Sequence, residues 1–356
     1  MGNHILNELG LSEEMMKNHQ EKYPDFFLGR VLIEHKGLYR IASENGEVLG
    51  KISGKLQYEA AGRQDYPAVG DWVVLDRTDS QRGDAIIQAI MPRKNKFSRK
   101  AAGKKFDEQI VAANVDLLFI CMSLNNNFNL RRLERYISLA WECMTVPVIL
   151  LTKSDLCDDI DEKYHEVMNV ALGIDVLIVS ALTKNGLDDI KQYIQPGRTI
   201  AFIGSSGVGK STLVNELLGY NRLEVQDIGS DDKGRHTTTH RELMIIPSGG
   251  VLIDTPGMRE IHLLDGEEGV DQSFSDIEEL AKHCKFSDCS HEKEPGCAVI
   301  AAIEGGQLPY KRLQSYFKLK REAEFMERKL DKNAELNYRK QIKKFHKSIR
   351  NLPKKY

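Results

Sequence analysis

Residues 199–219 read TIAFIGSSGVGKSTLVNELLG, and no other stretch narrows the possible folds so far. Gly204, Gly209, Lys210 and Ser211 supply the pattern G-x-x-x-x-G-K-[ST]. The apolar run Thr199–Ile203 predicts a strand before the loop, and Ser211–Leu218 predicts a helix after it. That strand–loop–helix context turns a pattern match into a phosphate site. Glycines let backbone N–H groups converge on phosphate oxygens, and the helix adds its positive N-terminal end. The candidate phosphate-binding residues are therefore Gly204, Ser205, Ser206, Gly207, Val208, Gly209, Lys210, Ser211 and Thr212. Within that set Lys210 would reach the β- and γ-phosphates and Ser211 would ligate magnesium. The loop alone implies a nucleoside triphosphate and does not choose between ATP and GTP.

A second stretch makes that choice. VILLTKSDL places Thr152, Lys153, Ser154 and Asp155 at the carboxyl end of a predicted strand, where open α/β sheets bind ligands. A carboxylate there accepts two hydrogen bonds from the ring N–H and exocyclic amine of guanine, a donor pair that adenine lacks. Ser180 and Ala181 in LIVSALTKNGL end another predicted strand and could offer a backbone N–H to the guanine carbonyl. Downstream, GRHTTTH and LIDTPGMRE supply the remaining parts. Asp254 ends an apolar run, as a carboxylate organising magnesium should. Gly257 can bring its backbone N–H to the γ-phosphate. One threonine of 237–239, with Thr238 in the middle, would complete the metal shell.

The order of these parts is rotated. A domain built on such a phosphate loop ordinarily begins with it, yet about two hundred residues precede this one. The base reader (152–155) and its helper (180–181) come before the loop (204–212), and the threonine (236–239) and DTPG (254–257) segments follow. Cutting an ordinary GTPase between its second switch and its base-reading half, then joining the old ends, produces this order. The site can survive because domain termini often lie close together at the surface. The upstream chain is thus expected to supply half of the nucleotide site.

The rhythm of the chain agrees. Predicted strands at Val115–Met122, Val146–Leu151, Val176–Ser180, Glu242–Ile246 and Val251–Ile253 alternate largely with helices at Leu130–Met144, to about Leu172, and Gly186–Ile194. Near-continuous apolar strands alternating with helices imply a parallel sheet covered on both faces. Before them, residues 29–92 hold short strand-like runs such as GRVLIEHK, LYRIAS and DWVVLDR separated by turn signals. Four to six short strands in about 65 residues suggest a small OB-type barrel, with another compact β module, such as an SH3-like barrel, as the alternative that spacing leaves open.

CKFSDCSHEKEPGC has the spacing C-x₄-C-x-H-x₅-C, with Cys284, Cys289, His291 and Cys297. Three thiolates and an imidazole make a closed tetrahedral site, the pattern of one structural zinc with no position left for water. The competing readings are buried thiols or a disulfide, and His283 is the competing imidazole. Zinc would let a segment with little core of its own fold.

The chain resembles the circularly permuted GTPases of the RsgA (YjeQ/YloQ) type, which act in maturation of the small ribosomal subunit. The resemblance runs from about residue 29 to 320 and rests on SLNNNFNLRRLERY, TKSDL, GSSGVGKSTLVN, GRHTTT, DTPGMRE and CKFSDCSHEKEPGC in that order. It implies an α/β P-loop GTPase domain with circularly permuted motif order, preceded by an OB-type β-barrel and followed by a zinc-binding, mainly helical domain. The expected divisions are an N-terminal extension at 1–28, the barrel at 29–92, a basic linker at 93–106, the GTPase domain at 107–262, and a zinc domain with a basic helical tail at 263–356. Two departures from the common GTPase pattern stand out. Thr152 replaces the usual Asn of the base reader, so guanine specificity is expected to persist with reduced affinity. Met258 follows DTPG where many GTPases carry a water-orienting Gln, which implies slow intrinsic turnover, on the order of 10⁻² s⁻¹ or below. His236 is then the candidate for positioning the water, alongside the alternative that it is an exposed loop histidine.

Fifty Lys and Arg against fifty-two Asp and Glu leave a net charge of −2, so the distribution says more than the total. Residues 93–106, RKNKFSRKAAGKKF, carry seven basic residues and no acid, and residues 339–356 carry eight and no acid. Such runs are solvated faces or polyanion contacts. With a barrel of a type that binds nucleic acid and the family resemblance, ribosomal RNA is the expected partner. No apolar run reaches the length of about 20 residues needed to span a membrane, and MGNHILNELG lacks a signal-peptide core. Six cysteines, three of them scattered, do not make a secreted disulfide scaffold. A cytoplasmic monomer that binds GTP and GDP is therefore expected. Three functions remain open at this point: a subunit-stimulated GTPase, an RNA-binding assembly module using GTP only as a conformational ligand, and a GTP-dependent factor for another RNA.

Overall fold

The computed structural model of the chain describes residues 4–79, 83–100, 108–220, 241–254 and 268–330. Two helices, α1 (His4–Glu8) and α2 (Glu13–Lys22), occupy the N-terminal extension. Ser12 starts α2 by accepting a hydrogen bond from the Met15 N–H at 3.1 Å, as a helix-capping serine does. Leu6 and Leu9 are buried. At Gly10, which takes φ +88°, an added Cβ would strike the carbonyl oxygen of Gly197, so the extension packs closely on the turn that leads into the phosphate-loop strand.

Five strands close a barrel: β1 (Phe27–His35), β2 (Leu38–Ser43), β3 (Gly46–Ile52), β4 (Trp72–Leu75) and β5 (Ala85–Ile90), with helix α3 (Gly54–Glu59) between β3 and β4. Neighbours run β1-β2-β3-β5-β4, and β4 returns to β1 from Phe27↔Leu75 to Arg30↔Trp72. The β3–β5 pair is parallel and the others antiparallel, so the barrel is of the OB type. A register shift between Val31 and Ile33 lets β1 bend, so that it pairs with β4 before the shift and with β12 after it. Val31, Ile41, Val73 and Ile87 are among the fully buried side chains that fill it.

A hairpin of β6 (Lys96–Lys100) and β7 (Glu108–Ala113) follows, so the front of the basic segment is strand. Next come β8 (Leu117–Ser123), α4 (Leu130–Glu142), β9 (Val146–Thr152), α5 (Ile160–Met168), β10 (Asp175–Ile178), α6 (Leu187–Tyr193), β11 (Thr199–Ile203), α7 (Lys210–Leu218), β12 (Glu242–Ile245) and β13 (Val251–Asp254). They order as β10-β9-β8-β11-β13-β12, parallel except for β12. The strand expected from Val115 begins at Leu117, because the Asn95 side chain bonds both the N–H and the carbonyl of Val115 at 2.9 and 2.7 Å. The core under the sheet gathers Leu117, Phe119, Val148, Leu150, Phe202 and Leu213.

Barrel and nucleotide-binding sheet are continuous, since β1 pairs with β12 at Ile33↔Glu242 and Arg40 meets Glu242 at 2.7 Å. Arg30, 1% exposed, fastens the same junction. Its guanidinium donates to the carbonyls of Leu9 and Gly70 (3.3 Å for Gly70) and to the Thr199 hydroxyl at 2.9 Å, and it lies 5.2 Å from the Trp72 ring. Burial pulls Arg30 down to about 10, against the opposing pull of Asp116 and Asp71, so it remains charged at neutral pH.

These elements form one compact unit; the other is drawn chiefly from Leu263–Tyr356. Its described helices are α8 (Glu268–Ser273), α9 (Ser275–Ala281), α10 (Ala298–Glu304) and α11 (Tyr310–Leu330). Arg312 grips Asp276 with two bonds of 2.6 and 2.7 Å and sits 4.7 Å from the Phe274 ring, which fixes α11 against α9.

Candidate nucleotide site and metal centre

The phosphate loop leaves β11 at Gly204 and enters α7 at Lys210. Gly204 has φ +153°, and a Cβ there would stand 2.5 Å from the Cys121 carbonyl oxygen, so only glycine lets the loop pass this close to β8. Gly207 and Gly209 also take positive φ, 71° and 98°. Lys210 folds over the loop and donates to the carbonyls of Gly204 and Ser205, both at 2.7 Å. Ser211 and Thr212 lie in the first turn of α7. Val208 is fully buried beneath the loop, whereas Ser206 and Gly207 are exposed.

The base-reading residues reach this loop from the neighbouring strand ends. Thr152, the last residue of β9, donates its hydroxyl to the Val208 carbonyl at 2.6 Å. Where the sequence suggested only a weaker substitute for Asn, the threonine braces the phosphate loop. Lys153 takes φ 59°, which turns the chain into a short helical turn at Ser154–Leu156. The Ser154 N–H bonds the Val179 carbonyl at 3.3 Å, and Ser180 gives its hydroxyl to Asp155 Oδ1. Ser180 in turn accepts from the Thr183 N–H at 3.2 Å, which closes a turn that includes Ala181. The permuted upstream half and the phosphate loop are thus in direct contact.

Asp254 ends β13, which runs parallel to β11, so it stands at the same sheet end as Ser211. Oxygen donors of this kind suit a hard divalent cation. His236, Thr238 and Gly257 lie outside the described residues. Two side chains that the motifs did not single out also support the loop, Asn127 directly and Arg132 through Asn127. Asn127 donates to the Ser205 hydroxyl at 2.9 Å and the Ser206 carbonyl at 3.3 Å, and Arg132 donates to Asn127 Oδ1 at 2.8 Å. Both sit inside SLNNNFNLRRLERY, where nothing in local spacing marks a residue that acts across the sheet.

In the second unit the ligand atoms of Cys284, Cys289, His291 and Cys297 all lie within 4.8 Å of one another. His291 Nδ1 is 3.6 Å from Cys284 Sγ and 3.5 Å from Cys297 Sγ, and those two sulfurs are 3.9 Å apart. A tetrahedral ion with metal–sulfur bonds of about 2.3 Å and metal–nitrogen bonds of about 2.0 Å has edges of about 3.8 and 3.5 Å. The fit is close. The cysteines are free, and 3.9 Å is far beyond the roughly 2.05 Å of a disulfide. His283, exposed, is not part of the group. The loop is shaped locally: His291 takes φ 57°, and Cys297 caps α10 by accepting from the Ile300 N–H. Glu294 accepts from the Ser290 hydroxyl and from the N–H groups of Lys293, Ser290 and Glu292, and the Ser290 hydroxyl first, with backbone N–H groups beside it, holds its carboxyl down at about 2.

Part of the basic segment is committed to the fold. Arg93 binds Asp71 at 2.7 and 2.8 Å and also the carbonyls of Gln64 and Tyr66, and Lys94 pairs with Asp116 at 2.6 Å. Among the described residues no helix is long and apolar enough to cross a membrane.

Residues 90–264 match the family model described as RsgA GTPase. A small ribosomal subunit biogenesis GTPase RsgA 2 of Lactiplantibacillus plantarum is 48% identical over 299 residues, covering 84% of this chain and 84% of that protein. An RsgA of Methanosarcina acetivorans is 44% identical over 307 residues, covering 86% of this chain and 82% of the relative. The crystal structure of YjeQ from Thermotoga maritima superposes with a TM-score of 0.63 at 27% identity, over 84% of this chain and 98% of that one. YloQ, a circularly permuted GTPase, gives 0.61 at 26%, over 84% and 95%. With its rotated motif order, its OB-type barrel and its Cys₃His loop, the chain belongs to the RsgA family of circularly permuted GTPases.

Proposed function

We propose that this protein binds and hydrolyses GTP, associates with the small ribosomal subunit and assists its late maturation, with hydrolysis stimulated by the subunit. The observation that carries the reading is the joining of Asp155, held by Ser180, to a phosphate loop braced by Thr152. Asp155 accepts from the guanine ring N–H and amine, and the backbone around Ser180 and Ala181 donates to the guanine carbonyl. Lys210 exchanges the carbonyls of Gly204 and Ser205 for the β- and γ-phosphates. Ser211, Asp254 and Thr238 would hold magnesium, which would supply positive charge beside the phosphate oxygens. Gly257 donates its N–H to the γ-phosphate, and His236 orients the attacking water on the subunit.

The Cys₃His loop holds one structural zinc: thiolate and imidazole donors in a closed tetrahedron favour it over harder cations. Ribosomal RNA is contacted by the basic residues of 93–106 beyond Lys94 and by the 339–356 tail, the latter outside the described residues. We assign the barrel to 29–92, the GTPase domain to 107–262 and the zinc domain with its tail to 263–356, in a cytoplasmic monomer. The test is GTP turnover by the zinc-loaded protein with and without small subunits, with ATP and large subunits as controls. Stimulation by small subunits alone is expected. GTP-dependent binding without stimulation would reduce the protein to an assembly module.

A further inference from the structure

The geometry points to Asn127 as a positioning residue for the phosphate loop: its carboxamide sets the Ser206–Gly207 peptide so that the Gly207 N–H faces the β-phosphate. This rests on reading the loop as the GTP site. Asn127 Nδ2 reaches the Ser205 hydroxyl at 2.9 Å and the Ser206 carbonyl at 3.3 Å. Its orientation is decided by Arg132, which donates to Oδ1 at 2.8 Å and also to the Asn127 backbone carbonyl. A guanidinium carries donors only, so the carboxamide oxygen must face it and the NH₂ must face the loop. Arg132 itself sits in the first turn of α4, where its N–H bonds the capping Asn129 at 3.0 Å. Asn125 Oδ1 accepts from the Asn127 N–H at 3.1 Å and fixes the backbone from the other side.

The consequence follows from peptide geometry. The described chain has no cis bonds, and in a trans peptide the C=O and the following N–H point opposite ways. Holding the Ser206 carbonyl against Asn127 turns the Gly207 N–H away from it. Thr152 does the same one peptide pair later, since its bond to the Val208 carbonyl turns the Gly209 N–H. Two carbonyls anchored outward, two residues apart, leave two N–H groups converging on one anion, the arrangement of a backbone nest. Loops of this pattern cradle the α- and β-phosphates with those amides. Asn127 therefore pre-sets the loop for nucleotides with a β-phosphate without touching the base.

The experiment is competition of GDP and GMP against a fluorescent guanosine diphosphate on the full zinc-loaded chain. It compares wild type, Asn127→Ala, Asn127→Asp and Arg132→Met, with melting temperature measured in parallel. Asn127→Ala and Asn127→Asp are expected to weaken GDP about tenfold while GMP changes less than twofold. Arg132→Met, which leaves the carboxamide in place but unoriented, should show a smaller loss with the same GDP selectivity. GDP affinity within threefold of wild type in Asn127→Ala, or equal losses for GMP and GDP, overturns the assignment. So does failure of both Asn127 variants to fold, because a residue that only aims one loop does not hold a domain together. Wild type that binds neither nucleotide would overturn the reading of the site itself.

Discussion

Arg30→Leu should destabilise the unit that contains the barrel and the nucleotide-binding sheet by about 3–5 kcal/mol, the scale for breaking a buried charged network on one side. The magnitude follows from what is left behind. Arg30 donates to the carbonyls of Leu9 and Gly70 and to the Thr199 hydroxyl, all in a site where the side chain is 1% exposed. Each buried acceptor stranded without a partner costs about 1–3 kcal/mol. Leucine recovers part of this by packing on Trp72, whose ring lies 5.2 Å from the guanidinium. At roughly 2–4 °C per kcal/mol for a unit of this size, the melting temperature should fall by about 6–20 °C. Differential scanning calorimetry on the full chain reads the total, and Trp fluorescence reports locally, since Trp72 is one of only two tryptophans. A double-mutant cycle with Thr199→Val should show coupling of at least about 0.5 kcal/mol, as for residues sharing one hydrogen-bond network. A loss below about 1 kcal/mol, or strict additivity with Thr199→Val, would refute the idea that this arginine ties the extension, the barrel and β11 together.

Thr152→Val keeps the shape of the brace but removes its donor, so GDP affinity should drop several-fold with guanine selectivity unchanged, whereas Thr152→Asn should retain binding; titration calorimetry with GDP and ADP distinguishes them. Cys289→Ser, or chelation, should release one zinc per chain and unfold the 284–297 loop, because metal affinity of about 10–16 kcal/mol in such sites is folding energy; chromophoric zinc release with far-ultraviolet circular dichroism follows both, and full helicity without metal would contradict it. His19 is buried, and burial lowers its pKa against a weaker opposing pull from the Phe27 backbone. The native state then holds fewer protons than the unfolded chain, so this contribution is complete above about pH 6.5 and is lost as pH falls through that value and then through the lower native one. His19→Leu should flatten the fall in melting temperature between pH 7.5 and 5.5, and an unchanged slope would count against it.

The division between local and tertiary information is visible at single residues. Gly204, Lys210, Asp155 and the Cys₃His spacing are legible in sequence because each belongs to a short segment whose chemistry dictates its spacing. The β11 limits, Thr199–Ile203, could be read from an apolar run for the same reason. The barrel type is suggested by the number and spacing of short strands but not fixed by them. Its short strand-like runs leave an SH3-like alternative open until the parallel β3–β5 pair and the β4–β1 closure form, and those pairings depend on contacts far apart in the chain. The N-terminal helices and the β6–β7 hairpin carry weak local signals and gain order by packing. Thr152 and Asn127 acquire their roles across 56 and 78 residues of chain, where only the folded sheet brings strand ends onto the loop. Arg30 reads as one more charge in a strand; it becomes the junction's fastener because burial turns its donors onto the carbonyls of Leu9 and Gly70 and the Thr199 hydroxyl. Local chemistry selects the groups that can hold a nucleotide and a metal, and long-range packing decides which other side chains hold those groups in place.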